Sequence, residues 1–303
     1  MGERGINFLL NTGGHYVATK ENNWQRLVDQ VTPDDGLAVR ESGYWAEKKL
    51  YFWNRYIDIT TTAMVGDKWP HGLVYVDLFS GPGVCIDRKS NRKFPGSPII
   101  AANAPKPFSK ILLCDIDPDN ADACRKRMDA TLVKNKVTVF EGDSNVLVSE
   151  IAQAIPPESL AIGFLDPTGL HVHMNTVKTL ARRGPTDLLI LFPDAYDIMR
   201  NADQYYFDRE DSKLDLVLGN DSDWRERKAN FQSSEPSKLR KLYADIYKDQ
   251  LRKHCGFTHF GEEVISGNSG PLYRLVYATR HDLGLKFWNE SVKKDAGGQS
   301  KLF

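Results

Sequence analysis

Five short apolar runs recur between stretches with helical spacing, and each is too continuously hydrophobic for a surface strand. They are LVYVDLF (Leu73–Phe79), KILLCDI (Lys110–Ile116), KVTVFEG (Lys136–Gly142), LAIGFLD (Leu160–Asp166) and DLLILFP (Asp187–Pro193). Strands covered by helices on both faces read this way, because neither side can alternate with solvent. The intervening segments have helix punctuation. Ser97-Pro98 in GSPIIAA reads as an N-cap with proline at the first helical position, and NTVKTLARRG ends in two arginines followed by Gly184. Strands alternating with helical crossovers predict an α/β fold with a doubly wound, mostly parallel sheet.

The two ends of the chain differ from this middle. SGYWAEKKLYFWNRYIDITTTAMV spaces Trp45, Leu50, Trp53, Tyr56, Ile57 and Ala63 along one helical face, with Ser42 as the expected N-cap. The first forty residues are polar, with little sustained periodicity, and VTPDDG (Val31–Gly36) reads as a turn. The reading is therefore an N-terminal extension and helix over 1–70 and a sheet domain over 71–303. Near the other end, a long helix from Pro236 stops at Gly256, and two strands joined by GNSG follow as a hairpin. That hairpin brings the sheet to seven strands, the last antiparallel. Parallel strands, a helix and a terminal antiparallel hairpin form the Rossmann-like plan of class I methyltransferases.

Bulk properties exclude rather than assign. With 40 basic and 40 acidic residues there is no global field drawing the chain to nucleic acid. No run of about 18 apolar residues marks a membrane span, and the first residues show neither an export pattern nor a myristoylation pattern. The four cysteines form no CxxC pair and are expected as reduced thiols in a cytoplasmic protein. No structural zinc or other metal site is expected.

Ligands of open α/β sheets bind beyond the carboxyl ends of the strands. Here those ends carry acids: Asp77 within the first run, Asp115 ending the second, Asp143 after the third and Asp166 closing the fourth. Clustered carboxylates repel one another unless a ligand or a hydrogen-bond network uses them. The first run continues into FSGPG, where Gly81 and Gly83 make a tight turn beside Phe79. A dinucleotide site needs a third glycine and an acid about 20 residues on. GPGVCI lacks that glycine, and Asp115 stands farther away. S-adenosylmethionine suits the pattern better. It has no phosphate to seat on a helix N-terminus; its cationic end suits Asp77, its ribose Asp115, and its adenine Asp143, with Ile116 and Ser144 beside them.

Taken in order, YVDLFSGPG, GSPIIAA, CDIDPDN, EGDSN, FLDPTGLHV and PLYRLVYATRH resemble the three-Cys-motif partner (TcmP) family, over about Trp45 to Trp288. The resemblance implies a class I methyltransferase-like fold and S-adenosylmethionine binding. It also implies genomic pairing with a three-cysteine protein resembling radical S-adenosylmethionine enzymes. It implies no particular reaction.

LDPTG (Leu165–Gly169) occupies the place where amino-methyltransferases carry an acid or amide, two prolines and an aromatic. Asp166 and Pro167 match that pattern, whereas Thr168 and Gly169 do not, so a stacking platform for a flipped base is missing. Asp166 is expected to position the acceptor. His171 and His173, two apart on an extended segment, should project to one side, where either could act as a base. Asp194, Tyr196 and Arg200 follow the fifth strand, either at the site or as ordinary helix entry. Arg88, Lys89, Arg92 and Lys93 lie in the insertion after GPG, as a basic flap over the pocket or as a solvated loop. The expected activity is methyl transfer to an O or N acceptor. Two alternatives stay open: a non-catalytic partner subunit, and a nucleic-acid-modifying or nucleic-acid-binding module.

Overall fold

The structure is a computed structural model and describes residues 23–64 and 68–294. The first residues, read above for export and acylation signals, lie outside the described residues. In chain order the strands are β1 (Arg40–Ser42), β2 (Leu73–Asp77), β3 (Val84–Asp87), β4 (Lys93–Pro95), β5 (Lys110–Asp115), β6 (Val137–Glu141), β7 (Leu160–Leu165), β8 (Thr186–Phe192), β9 (His259–Gly267) and β10 (Gly270–Thr279). Seven of them form one sheet in the order β6-β5-β2-β7-β8-β10-β9. Neighbours from β6 to β8 are parallel, while β10 runs antiparallel to both β8 and β9. The fold is thus the α/β sandwich with a terminal hairpin that the apolar runs predict.

Burial explains four of those runs; the fifth, KVTVFEG, forms the edge strand β6 and holds no buried residue, against its reading as a covered strand. Every residue of β2, β7 and β8 is buried, because helices cover both faces. Alternate residues divide between two cores. Val74, Val76 and Leu78 face helices Ser144–Gln153, Met174–Arg182 and Pro236–Cys255. Leu73 and Tyr75 face the other layer, where Trp53 stacks on Tyr56 and Phe164 with ring centroids 5.3 and 4.9 Å apart. Gly261 lets the Trp288 indole lie against β9, since a Cβ there would meet its ring at 2.1 Å. No helix among the described residues is long and apolar enough to cross a membrane.

The N-terminal region departs from its reading. Helix Asn23–Val31 buries Trp24, Leu27, Val28 and Val31 at amphipathic spacing, so this part of the first forty residues is packed. Helix Tyr44–Ala63 starts two residues after Ser42, with Gly43 as its cap. Ser42 is instead in β1, paired with Asp87 of β3. Ser97 is likewise the first helical residue rather than the cap, which is Gly96. At the other end, Gly256 (φ 70°) closes helix Pro236–Cys255 as expected.

The insertion after GPG is not a loose flap. β3 and β4 form an antiparallel hairpin, and β1 adds to it in parallel, making a three-stranded sheet. Three of its basic residues approach acids, and Lys89 is exposed. Arg92 pairs with Glu47, Lys93 lies 3.0 Å from Asp34, and Arg88 lies 3.8 Å from Glu41. All four cysteines are free and buried. Burial pushes the Cys85 thiol up to about 11, so it is a protonated core group at neutral pH.

Candidate functional site

The sheet order reverses at β2: β5 and β6 lie on one side of it, β7 and β8 on the other. The crevice at their carboxyl ends is where the fold leaves room for a ligand. The turn after β2 is held by its surroundings. Gly81 (φ 60°) and Gly83 (φ 90°) take the left-handed conformation that favours glycine. The Gly81 N–H donates to Asp115 Oδ2 at 2.7 Å, and Gly96 N–H donates to the Gly83 carbonyl at 2.9 Å. The guanidinium of Arg127, buried under the turn, donates to the Pro82 carbonyl at 2.6 Å and to the Ala38 carbonyl at 2.7 Å. It also pairs with Asp35. One arginine therefore joins the glycine turn, helix Pro118–Asp129 and the N-terminal segment.

Asp77 sits behind the turn rather than on a cavity wall. It is fully buried and accepts from Phe79 N–H at 3.1 Å and from the Tyr75 hydroxyl at 3.3 Å. Burial pushes its carboxyl up to about 7, with Ser97 and the Phe79 amide opposing the rise and Asp166 adding to it. Asp115 is also turned inward, its two oxygens accepting from Gly81, Asp117 and Asn120. Neither residue lines a cavity at this edge.

Two cavities lie there, with Phe79 as a wall of both. The larger, of about 380 Å³, brings together Ile116, Asp143, Ser144, His171 and His173. Asp143 caps helix Ser144–Gln153 through its Oδ1, which accepts from Asn145 N–H at 2.8 Å. Asn145 in turn clasps the histidine segment. Its Nδ2 donates to the His171 carbonyl at 2.9 Å, and its Oδ1 accepts from His173 N–H at 3.1 Å and from the Thr176 hydroxyl at 2.7 Å. Val172 is buried between the histidines, which leaves both on the cavity side. Burial lowers the His173 pKa against the pull of Asp143. No group of three or more potential metal ligands occurs among the described residues.

The smaller cavity, of about 30 Å³, is bounded by Gly81, Gly83 and Asp166, and by Arg40, Ser42 and Lys49 of the N-terminal region, with Ala46 and Leu50 beside them. Lys49 is buried, and its ammonium pairs with Asp166 Oδ2. It also lies over the Phe164 and Tyr273 rings at 5.9 and 5.7 Å. Asp166 Oδ1 and Ser42 Oγ are buried without a hydrogen-bond partner. Among the described residues no hydrogen bond or ion pair engages the Arg40 side chain, and its guanidinium approaches Gly81. These cations escaped the sequence reading. Lys49 stands one residue before Leu50 on the buried side of its helix, and nothing local marks it as the partner of an acid 117 positions away.

The residues after β8 do not converge. Asp194 is fully buried and paired with Arg274 at 3.1 Å, whereas Tyr196 is exposed with Arg200 over its ring. Asp194 is thus neither the helix cap nor a wall of either cavity. Asp197 does the local organising, accepting from Leu170 N–H, Asn201 and the Tyr206 hydroxyl.

No family model and no curated protein matches the chain. Among solved structures, it is similar to protein LPL1258 of Legionella pneumophila str. Philadelphia 1 (family-model DUF519), at 13% identity and a TM-score of 0.50, covering 85% of this chain and 94% of that one. It is also similar, with a TM-score of 0.44 and 9% identity, to the O-methyltransferase of Bacillus cereus in complex with SAH, covering 87% of this chain and 93% of that one. A third is the O-methyltransferase TomG of Streptomyces achromogenes in complex with SAM, at 7% identity and a TM-score of 0.41, covering 86% and 99%. At these identities the likeness is one of fold alone.

Proposed function

We propose that the chain binds S-adenosylmethionine at the carboxyl edge of β2, β5, β6 and β7 and transfers its methyl group to an O or N acceptor. The observation behind this reading is the gathering of Phe79, Ile116, Asp143, Ser144, His171 and His173 around one cavity. Ile116 is 68% exposed, an apolar wall left for a flat ring to cover. Asp143 and Ser144 stand beside it to meet polar ring atoms. The turn at Gly81 and Gly83 leads into β3 rather than into a helix. A pyrophosphate would find no helix N-terminus there, whereas a phosphate-free nucleoside needs none. The cofactor supplies an already activated methyl group, so the protein mainly aligns the acceptor and, where needed, removes its proton. Asp166 is the acceptor-positioning carboxylate. The neutral His173 ring, with His171 beside it, is the second proton acceptor.

Isothermal calorimetry with S-adenosylmethionine and with NAD tests the reading. Stoichiometric binding of the first and none of the second is expected, with Ile116→Asp weakening the first at least tenfold. No heat with S-adenosylmethionine, or equal binding of both, would remove it.

A further inference from the structure

Resting on that reading, we infer that the acceptor is a hydroxyl of acidic character, a phenol or enol, and not an amine. The inference comes from the composition of the small cavity. Its described charges are Arg40, Lys49 and Asp166, two cations to one carboxylate. Its unpartnered polar atoms are Asp166 Oδ1, which can only accept while ionised, and Ser42 Oγ, which can donate. A hydroxyl matches this set: it gives its proton to Oδ1 and receives hydrogen bonds on its oxygen from Ser42 and Arg40. The space beside Asp166, about 30 Å³, admits only a small group. The body of the acceptor stays outside it.

Charge development separates the two acceptor classes. When a neutral amine attacks the donor, positive charge builds on its nitrogen, and here it would build beside two cations, the buried Lys49 and the half-buried Arg40. When a hydroxyl reacts, the O–H pair goes to oxygen and the proton to Asp166 Oδ1. The O–CH3 bond then forms as the S–CH3 bond breaks, and sulfur keeps that electron pair. The oxygen carries negative charge during this sequence, which Lys49 and Arg40 stabilise in a water-poor chamber. The Lys49 ammonium already occupies Asp166 Oδ2, which leaves Oδ1 as the free acceptor of this carboxylate. The charged or titratable groups facing Asp166 come from five elements. They are Lys49 from helix Tyr44–Ala63, Arg40 from β1, Asp77 from β2, Cys85 from β3 and Tyr273 from β10.

The test uses the full chain saturated with S-adenosylhomocysteine, loading being checked first by calorimetry. Failure to load would count against the cofactor reading and not against the acceptor class. 4-Nitrophenol, whose absorption reports its ionisation, is then titrated beside 4-nitrobenzylamine. The expected result is that bound nitrophenol ionises about one pH unit or more below its value in buffer, a tenfold change. The amine should bind at least tenfold more weakly. Arg40→Met and Lys49→Met should return the nitrophenol titration to its value in buffer, and Lys49→Arg should keep much of the shift. If Lys49→Met does not fold, Arg40→Met alone decides. Equal or tighter binding of the amine, an unshifted titration, or no nitrophenol binding would overturn the inference.

Discussion

The two cavities that share Phe79 are built on opposite principles. The larger is made from segments that follow their strands at once: Ile116 after β5, Asp143 and Ser144 after β6, His171 and His173 shortly after β7. Asp143 and Asn145 are hydrogen-bonded to nearby backbone, and its open wall is apolar. The smaller is made from segments far apart in sequence, and its character is set by charges buried against one another. Local geometry makes a cleft that can receive a flat ring. Long-range packing makes a chamber that can choose among reacting groups.

The sharpest way to break this contrast is Lys49→Met. It strands Asp166 as an uncompensated buried charge and should cost about 3–5 kcal/mol. The double variant Lys49→Met/Asp166→Asn should recover most of that loss in urea unfolding. If the single variant costs under about 1 kcal/mol, the chamber is not closed by the ion pair.

Asp77 lies behind both cavities and should make stability depend on pH. Its carboxyl is pushed up to about 7 when folded against 3.8 as its ordinary value, chiefly by burial. Between those two values the folded chain holds a proton that the unfolded chain has released. Stability is therefore greatest below the lower value and falls as pH rises to about 7, then levels. Three units of difference correspond to roughly 4 kcal/mol at most. Chemical denaturation across pH 4–8, compared with Asp77→Asn, should isolate this slope; parallel curves would show that Asp77 is ionised throughout.

Asn145→Ala probes the cleft. It removes the clasp on His171, His173 and Thr176 and should cost about 1–3 kcal/mol. Nucleoside affinity should fall while the Lys49–Asp166 chamber stays intact. The smallest effect is expected for Arg88→Ala/Lys89→Ala on the hairpin. Their exposed positions predict a change within about 0.5 kcal/mol in thermal unfolding. A large loss would make the hairpin a part of the chamber rather than its outer edge.

The same contrast separates what was legible in the sequence from what was not. Unbroken apolar runs announce doubly covered strands at β2, β5, β7 and β8, whereas KVTVFEG folds as the edge strand β6, in place but with no buried residue. Residues at strand ends inherit their location from those strands, which is why Ile116, Asp143, Ser144, His171 and His173 meet in one cavity. What escaped is which way a side chain turns and what distant residue reaches it. Asp77 and Asp115 are at the right edge but face into the turn they support. Arg40 and Lys49 lie in segments that read as a polar lead-in and a helix, and only tertiary packing brings them to Asp166. Helix Asn23–Val31 did carry a readable signal, apolar residues at 24, 27, 28 and 31, but it spans barely two and a half turns amid polar text.

One consequence of the aromatic layer is optical. The Trp53 indole is wholly buried, stacks on Phe164 two residues before Asp166, and donates to the Tyr75 hydroxyl at 3.0 Å. That hydroxyl in turn donates to Asp77. The emission of this indole is coupled through a single phenol to the ionisation of the carboxyl beneath the glycine turn. In a variant that keeps Trp53 as the sole one of the six tryptophans, ultraviolet excitation would report events at the floor of the site.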